Sequence, residues 1–174
     1  NNYLMNIRSL RRRELKKTTA KITETKDLAL FLDLYVKTFE RQEVVISQQE
    51  LELVSGIATS ALANRFGRLS MATTIDGVAS MYLFLYDSHS AYYLFGANNP
   101  ELRNSGASTA LMIENICAMA ELGRSKVDFI GVNSPNRGDF KLSFNSVLTP
   151  YYEVQLDNTS NFNLPAFVKE SNYE

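Results

Sequence analysis

The sequence has one cysteine, Cys117, and one histidine, His89, among its 174 residues. A lone cysteine can form no intrachain disulfide, which points to a reducing, cytoplasmic setting. One Cys and one His also exclude a zinc site of the usual kind, so no metal is expected. Glycine and proline are scarce, 8 and 4 residues, beside 45% hydrophobic and 21% charged residues. That composition is globular, and it excludes collagenous, disordered and low-complexity chains. The net charge is only -1, so no general affinity for polyanions is expected. No apolar run is long enough to span a bilayer, and no signal-peptide pattern opens the chain. The sequence also lacks a Walker loop, a strand-linked Gly-x-Gly-x-x-Gly and a Gly-x-Ser-x-Gly elbow, which leaves kinase, dehydrogenase and hydrolase readings without local support.

What is present fits a single domain over 1–174, with a basic helix at 1–17, a core at 18–160 and a polar tail at 161–174. Tyr3, Leu4, Ile7, Leu10 and Leu15 form a narrow apolar seam among Arg8, Arg11, Arg12, Arg13, Lys16 and Lys17. That charge run reads either as a solvated helix face or as a contact for an anionic ligand or RNA. Lys21 to Thr25 reads as a strand, with Thr25 capping a helix whose apolar positions are Leu28, Phe31, Leu32, Tyr35 and Phe39. Ser47 and Glu50 form a capping box before a second helix carrying Leu51, Val54, Ala58 and Leu62. From Arg68 the period changes to that of strands: 69–75 and 78–86, joined at Asp76-Gly77, then 91–97 after the turn at Asp87 to Ser90. Their aromatic residues, Tyr82, Phe84, Tyr86, Tyr92, Tyr93 and Phe95, read as core and sheet-face residues.

The chain is organised around 92–131. A strand ends at Gly96-Ala97, a polar loop follows, and a helix from about Ser105 to Leu122 opens on the small residues Gly106, Ala107, Ser108 and Thr109. Unpaired N–H groups at such a helix start carry partial positive charge, and small residues let a phosphate approach the backbone. The helix is apolar on most sides and ends at Gly123, a left-handed cap. Lys126 to Ile130 reads as a buried strand reached through that helix, hence parallel to the strand before it. A short helix over Arg137 to Phe144 and a last strand over Tyr151 to Leu156 complete an α/β domain. Its central sheet is mixed, mostly antiparallel, and flanked by helices.

With these elements in order, the chain resembles the GNAT acyltransferase superfamily. That superfamily places Arg/Gln-x-x-Gly-x-Gly/Ala between its fourth strand and the next helix, where this chain has Arg103-Asn-Ser-Gly106-Ala-Ser108. Ser108 stands where Gly or Ala is usual. Within the superfamily the chain resembles the FemAB-like branch, through Arg11 to Lys17, Phe39-Glu-Arg-Gln42, Tyr92 to Ala97, Val127 to Gly131 and Asp139 to Phe144, the last followed by Asn145 in place of glycine. The resemblance implies a GNAT-type fold whose fourth and fifth strands part to admit the donor. It also implies either one half of a larger tandem protein or a domain that pairs with a second copy.

Acyl transfer to an amine needs aligned reactants, a polarised carbonyl and a route for protons, without a covalent nucleophile. The resemblance implies acetyl-CoA or a longer acyl-CoA as co-substrate and a small-molecule or peptide amine as acceptor. Backbone groups near Phe95 and Ala97 would align the donor, while Arg103, Asn104, Ser105, Gly106, Ala107 and Ser108 hold its pyrophosphate. Lys141 would stabilise an oxyanion or bind a donor phosphate, and Asn133 and Ser134 would contact the donor or serve as turn formers. Asp128 reads equally as a general base or a structural carboxylate. His89 reads as a turn residue, and Cys117 as a small buried hydrophobe. Two other readings stay open: a FemAB-like aminoacyl transferase that draws its donor from charged tRNA and modifies a cell-wall precursor, and a non-catalytic domain that keeps the fold for binding or pairing.

Overall fold

In a computed structural model of the chain, residues 3–132 and 135–150 are described. The expected strand over Tyr151 to Leu156, the tail, and Asn133 and Ser134 lie outside the described residues. The basic segment is not one helix. It forms α1 (Tyr3–Asn6) and α2 (Ser9–Lys17), broken where Arg8 adopts extended backbone. The break lets Ile7 turn inward, where it is 1% exposed and part of the core.

Strand β1 (Lys21–Glu24) leads to α3 (Leu28–Glu40) and α4 (Gln48–Ala63). The cap of α3 is Asp27, which accepts from Leu30 N–H, while Thr25 Oγ accepts from Asp27 N–H one step earlier. The capping box of α4 forms as expected: Glu50 N–H donates to Ser47, and Ser47 N–H donates to Glu50. The strands β2 (Gly67–Thr74), β3 (Gly77–Tyr86) and β4 (Ser90–Asn98) form an antiparallel meander. The first hairpin turns at Ile75-Asp76, one residue before the expected pair, because Gly77, at φ +123°, pairs with Thr74 inside the ladder.

A 3-10 turn at Pro100–Leu102 precedes α5 (Ala107–Glu121), which is followed by β5 (Lys126–Asp128) and α6 (Pro135–Leu142). The C-terminus of α5 is closed by Gly123 at φ +79°, with Gly123 N–H on the Ala120 carbonyl and Arg124 N–H on the Met119 carbonyl. That double bond is the Schellman arrangement. Strand β5 stops two residues short of the expectation. Asp128 accepts from Ile130 N–H, and Ile130 takes φ +53°, which a strand cannot continue through. The sheet order is β1-β2-β3-β4-β5, antiparallel except for the parallel β4–β5 pair. This is the mixed, mostly antiparallel sheet the sequence implied.

Helices cover both faces. On one, Phe31 and Leu34 of α3 and Val54 and Ala58 of α4 pack on Leu69, Met81, Leu83 and Ala97. On the other, Leu111, Met112, Ile113 and Met119 of α5 meet Ala72, Tyr82, Phe84 and Ala91, with Ile7 and Phe144 closing the cluster. Strand β3, buried on both faces from Ala79 to Phe84, is the centre of the molecule. One flank of α5 does not join the core. Cys117 is exposed, contrary to the expectation of a buried residue, and Ala120 beside it is exposed too.

Candidate active site

The site begins where two strands part. The β4–β5 ladder consists of Ser90↔Lys126, Ala91↔Val127 and Tyr92↔Asp128, whereas β4 runs on to Asn98. Past Tyr92, β4 borders a cleft of about 650 Å³ lined by Tyr93, Leu94, Phe95, Gly96 and Asn98. A register shift against β3 falls within this stretch, pairing Phe84 with Tyr93 and Leu83 with Phe95. Leu94 is the extra residue of a bulge. Neighbours on β3 point to opposite faces, so the bulge sends Tyr93 to the α5 face and Phe95 to the α3 face. The packing agrees: Tyr93 lies at 4.9 Å and 5.4 Å from the rings of Tyr82 and Phe84, and Phe95 at 5.8 Å from Tyr35 of α3. The cleft is therefore walled from both sides of the sheet.

The same bulge places Tyr93 and Gly96 on one face. A Cβ on Gly96 would lie 1.9 Å from the Tyr93 hydroxyl, so the absence of a side chain there lets the phenol lie along β4. Tyr93 also hydrogen-bonds Tyr82, whose fully buried phenol is pushed up to about 12 by desolvation, against the opposing effect of bonds to Ser108 and Tyr93. Ser108 continues a polar chain. Its hydroxyl donates to Asn98 Oδ1 at 2.9 Å and lies 2.6 Å from Ser80 Oγ, which also donates to Asn98 Oδ1 at 2.8 Å. Asn98 N–H in turn donates to Thr38 Oγ1 of α3 at 2.7 Å. The hydroxyl that departs from the Gly/Ala pattern thus ties α5 to the ends of β3 and β4.

Around the start of α5, Arg103 and Asn104 are exposed, Ser105 and Ser108 are half-buried, and Gly106 and Ala107 are buried. Gly106 has φ +75°, and a Cβ there would meet the Glu14 carbonyl oxygen at 2.9 Å and Thr18 Cβ at 3.2 Å. The glycine admits the close approach of α2. Glu14 accepts from the Thr109 hydroxyl and pairs with Arg11 at 2.7 Å, while Arg11 Nε donates to Ser143 Oγ at 2.7 Å and its guanidinium lies 4.7 Å from the Phe140 ring centre. Arg12 donates to the carbonyls of Met5 and Ile7, closing α1. Two of the three consecutive arginines are structural, a role a charge run does not reveal.

Lys141 lines the cleft from α6. Its Nζ donates to the carbonyls of Ile130 and Gly131 at 3.0 and 2.7 Å and lies 5.9 Å from the Tyr93 ring centre. Asp128 is elsewhere, in a second depression along β5. There Asp128 bonds Ile130 N–H and Lys126; partial burial alone would raise its pKa, but these contacts and the nearby Lys141 hold it below the usual carboxylate range. His89 sits in the exposed turn before β4, hydrogen-bonded to Ser88. Ala97 is fully buried under α3 and α4, so only its backbone could serve a ligand. The residues that sequence reasoning misses are Tyr93, Thr38, Asn98 and Arg41. A bulge and a long-range hydrogen bond hide the first three. Arg41 lies within the Phe39-Glu-Arg-Gln42 block, and nothing in that block says that it faces the cleft.

Among the described residues the sheet is five-stranded and mixed, with its fourth and fifth strands parting beside the start of α5, the arrangement of the GNAT fold. The family model for the acetyltransferase (GNAT) domain matches residues 1–142, and the chain belongs to that family. Acyl transfer is the activity of its class, and acetyl-CoA its usual donor. The solved structures agree in fold. A predicted acetyltransferase with acetyl-CoA from Clostridium acetobutylicum superposes with a TM-score of 0.66 at 11% identity, over 80% of this chain and 96% of that one. A possible acetyltransferase from Clostridium difficile 630 gives 0.61 at 16% identity, over 80% and 98%. A ribosomal-protein-alanine N-acetyltransferase from Brucella melitensis biovar Abortus 2308 gives 0.55 at 11%, over 81% and 100%. No curated protein matches in sequence. Among the described residues, no helix is long and apolar enough to cross a membrane, and no cluster of His, Cys, Asp and Glu could hold a metal ion.

Proposed function

We propose that the protein is an N-acyltransferase that moves an acetyl or longer acyl group from CoA to an amine. The observation that carries this reading is the parting of β4 from β5 directly beside the start of α5 and the exposed guanidinium of Arg103. The stretch of β4 at Phe95 and Gly96, beyond the end of the described β4–β5 ladder at Tyr92, would align the pantetheine arm and polarise the thioester carbonyl. Arg103, Asn104, Ser105 and the first N–H groups of α5 would hold the pyrophosphate. The neutral amine attacks the carbonyl carbon, the C–N bond forms as the C–S bond breaks, and the amine proton ends on the leaving thiolate. Tyr93, whose hydroxyl lies over Gly96 on the donor's own strand, is the group we assign to returning that proton. Lys141 would steady negative charge at the inner end of the cleft. Asp128, held in its turn outside the cleft, takes no proton in this scheme.

Aminoacyl transfer from charged tRNA, the FemAB-like alternative, draws less support. Arg11 and Arg12 bond within the domain and the exposed Arg8 pairs with Asp139, leaving Arg13, Lys16 and Lys17 as the exposed cations of the basic segment that make no ion pair among the described residues. Calorimetry and thermal melts with acetyl-CoA and longer acyl-CoAs test the reading. Binding with a raised Tm is expected, weakened when Arg103 is replaced by alanine. Absence of both binding and a Tm shift would overturn it.

A further inference from the structure

The charges around the cleft select among amines. Among the described residues its lining includes four cations, Arg11, Arg41, Arg103 and Lys141, and one carboxylate, Glu14. Glu14 is already engaged by Arg11 and Thr109, Arg11 is only 11% exposed at its side chain, and Lys141 is tied to two carbonyls. Arg41 and Arg103 differ from these. Both are exposed, and among the described residues neither makes an ion pair. They come from opposite faces of the sheet. Arg103 belongs to the loop that opens α5, the side proposed for the donor's phosphates. Arg41 caps the C-terminus of α3, beside Thr38, Gln42, Tyr35 and Phe39 on the other wall.

We infer that the acceptor is an amine carrying an anionic group, a carboxylate or a phosphate, which Arg41 receives while the amine reaches the thioester at β4. The inference rests on the acyltransferase reading of the same cleft. A polycationic amine would enter a positive cleft with no uncommitted carboxylate among its described lining residues to hold the second ammonium. A guanidinium, by contrast, matches carboxylate and phosphate oxygens with a planar pair of donors. The hydroxyl and amide of Thr38 and Gln42 are bonded to neighbouring backbone, which fixes the wall from which Arg41 projects.

The test compares acetyl transfer from acetyl-CoA, followed by thiol release, to matched acceptors: glycyl dipeptides and their C-terminal amides, phosphoethanolamine and ethanolamine, and spermidine. The expected result is at least about tenfold higher kcat/KM for the anionic member of one pair, the size of one charged hydrogen bond. Preference for the dipeptide identifies a carboxylate, and preference for phosphoethanolamine a phosphate. Arg41→Gln should abolish that preference by raising KM, with acetyl-CoA affinity unchanged, while Arg103→Gln should weaken acetyl-CoA. Equal use of charged and neutral members, preference for spermidine, no turnover of any anionic acceptor by protein that binds acetyl-CoA, or loss of acetyl-CoA binding in Arg41→Gln would each overturn the inference. Failure of the unaltered protein to bind acetyl-CoA would instead overturn the reading on which it rests.

Discussion

Replacing Gly106 with alanine separates two demands on one residue. At φ +75° any Cβ bears the left-handed penalty, about 1–2 kcal/mol. The new methyl would also lie 2.9 Å from the Glu14 carbonyl oxygen, 3.2 Å from Thr18 Cβ and 3.3 Å from the Glu14 carbonyl carbon. Two of those atoms are backbone, and the carbonyl is held by Thr18 N–H at the end of α2. Neither can swing aside, so α2 must shift, at a cost of about 1–3 kcal/mol for overpacking. The total, roughly 2–5 kcal/mol, is a large share of a domain's stability and should lower Tm by roughly 5–15 °C. Gly123→Ala supplies the control. Gly123 has nearly the same dihedral, +79°, and a methyl added to it would have nothing within 4 Å, so it bears only the conformational part. Urea and thermal denaturation of the two variants should therefore differ by the cost of contact with α2. Equal destabilisation would refute the claim that Gly106 is required by chain packing, and would return it to the role of admitting phosphate alone.

Three further outcomes follow from the same contacts. Arg11→Met should cost about 2–3 kcal/mol, because it strands the half-buried Glu14, whereas Arg13→Ala should change stability by less than about 0.5 kcal/mol; equal effects in urea melts would contradict the structural role of Arg11. Gly96→Ala should displace the end of the Tyr93 side chain, 1.9 Å from the new methyl, and lower kcat to the level of Tyr93→Phe with little change in acyl-CoA affinity; a normal kcat in either variant would remove Tyr93 from the proton path. Tyr82 ionises near 10 when unfolded and at about 12 when folded, so its stabilising effect is complete below pH about 10 and is lost as pH rises towards 12, about 2–3 kcal/mol in all. Urea midpoints across that window should fall less steeply in Tyr82→Phe, and parallel slopes would show that Tyr82 is not the group responsible.

Local signals carried the fold a long way. The Ser47–Glu50 box, the Gly123 cap and the β-prone runs that become β2, β3 and β4 each depend on residues within a few positions, and each stands within two residues of where the sequence put it. The departures occur where distant parts decide. Ile7 breaks the basic helix because it joins the core cluster that holds the apolar face of α5 and Phe144. β5 ends at Asp128 because its own carboxylate takes the Ile130 N–H and turns the chain. Cys117 is exposed because the sheet covers one side of α5 and the N-terminal helices another, leaving its flank outside. Periodicity identifies an apolar helix without identifying which of its sides is covered.

The candidate site is the least legible part for a related reason: its geometry comes from one extra residue. Leu94 has no unusual composition to mark it, yet as a bulge it reverses the facing of everything after it on β4. Without the bulge, Tyr93 and Phe95 would share a face and one side of the sheet would lack its aromatic wall. With it, the phenol of Tyr93 lies along β4 on the α5 side, and Phe95 meets Tyr35 on the α3 side. Under the proposed acyl transfer, donor and acceptor would approach β4 from different faces, with Arg103 and Arg41 on separate walls of the cleft. In the sequence, the glycine-opened helix reads as the centre of the whole site. Its glycine is filled from behind by α2, and the proposed acceptor contact lies across the strand at Arg41, inside the Phe39-Glu-Arg-Gln42 block, where nothing in the sequence says which way that side chain faces.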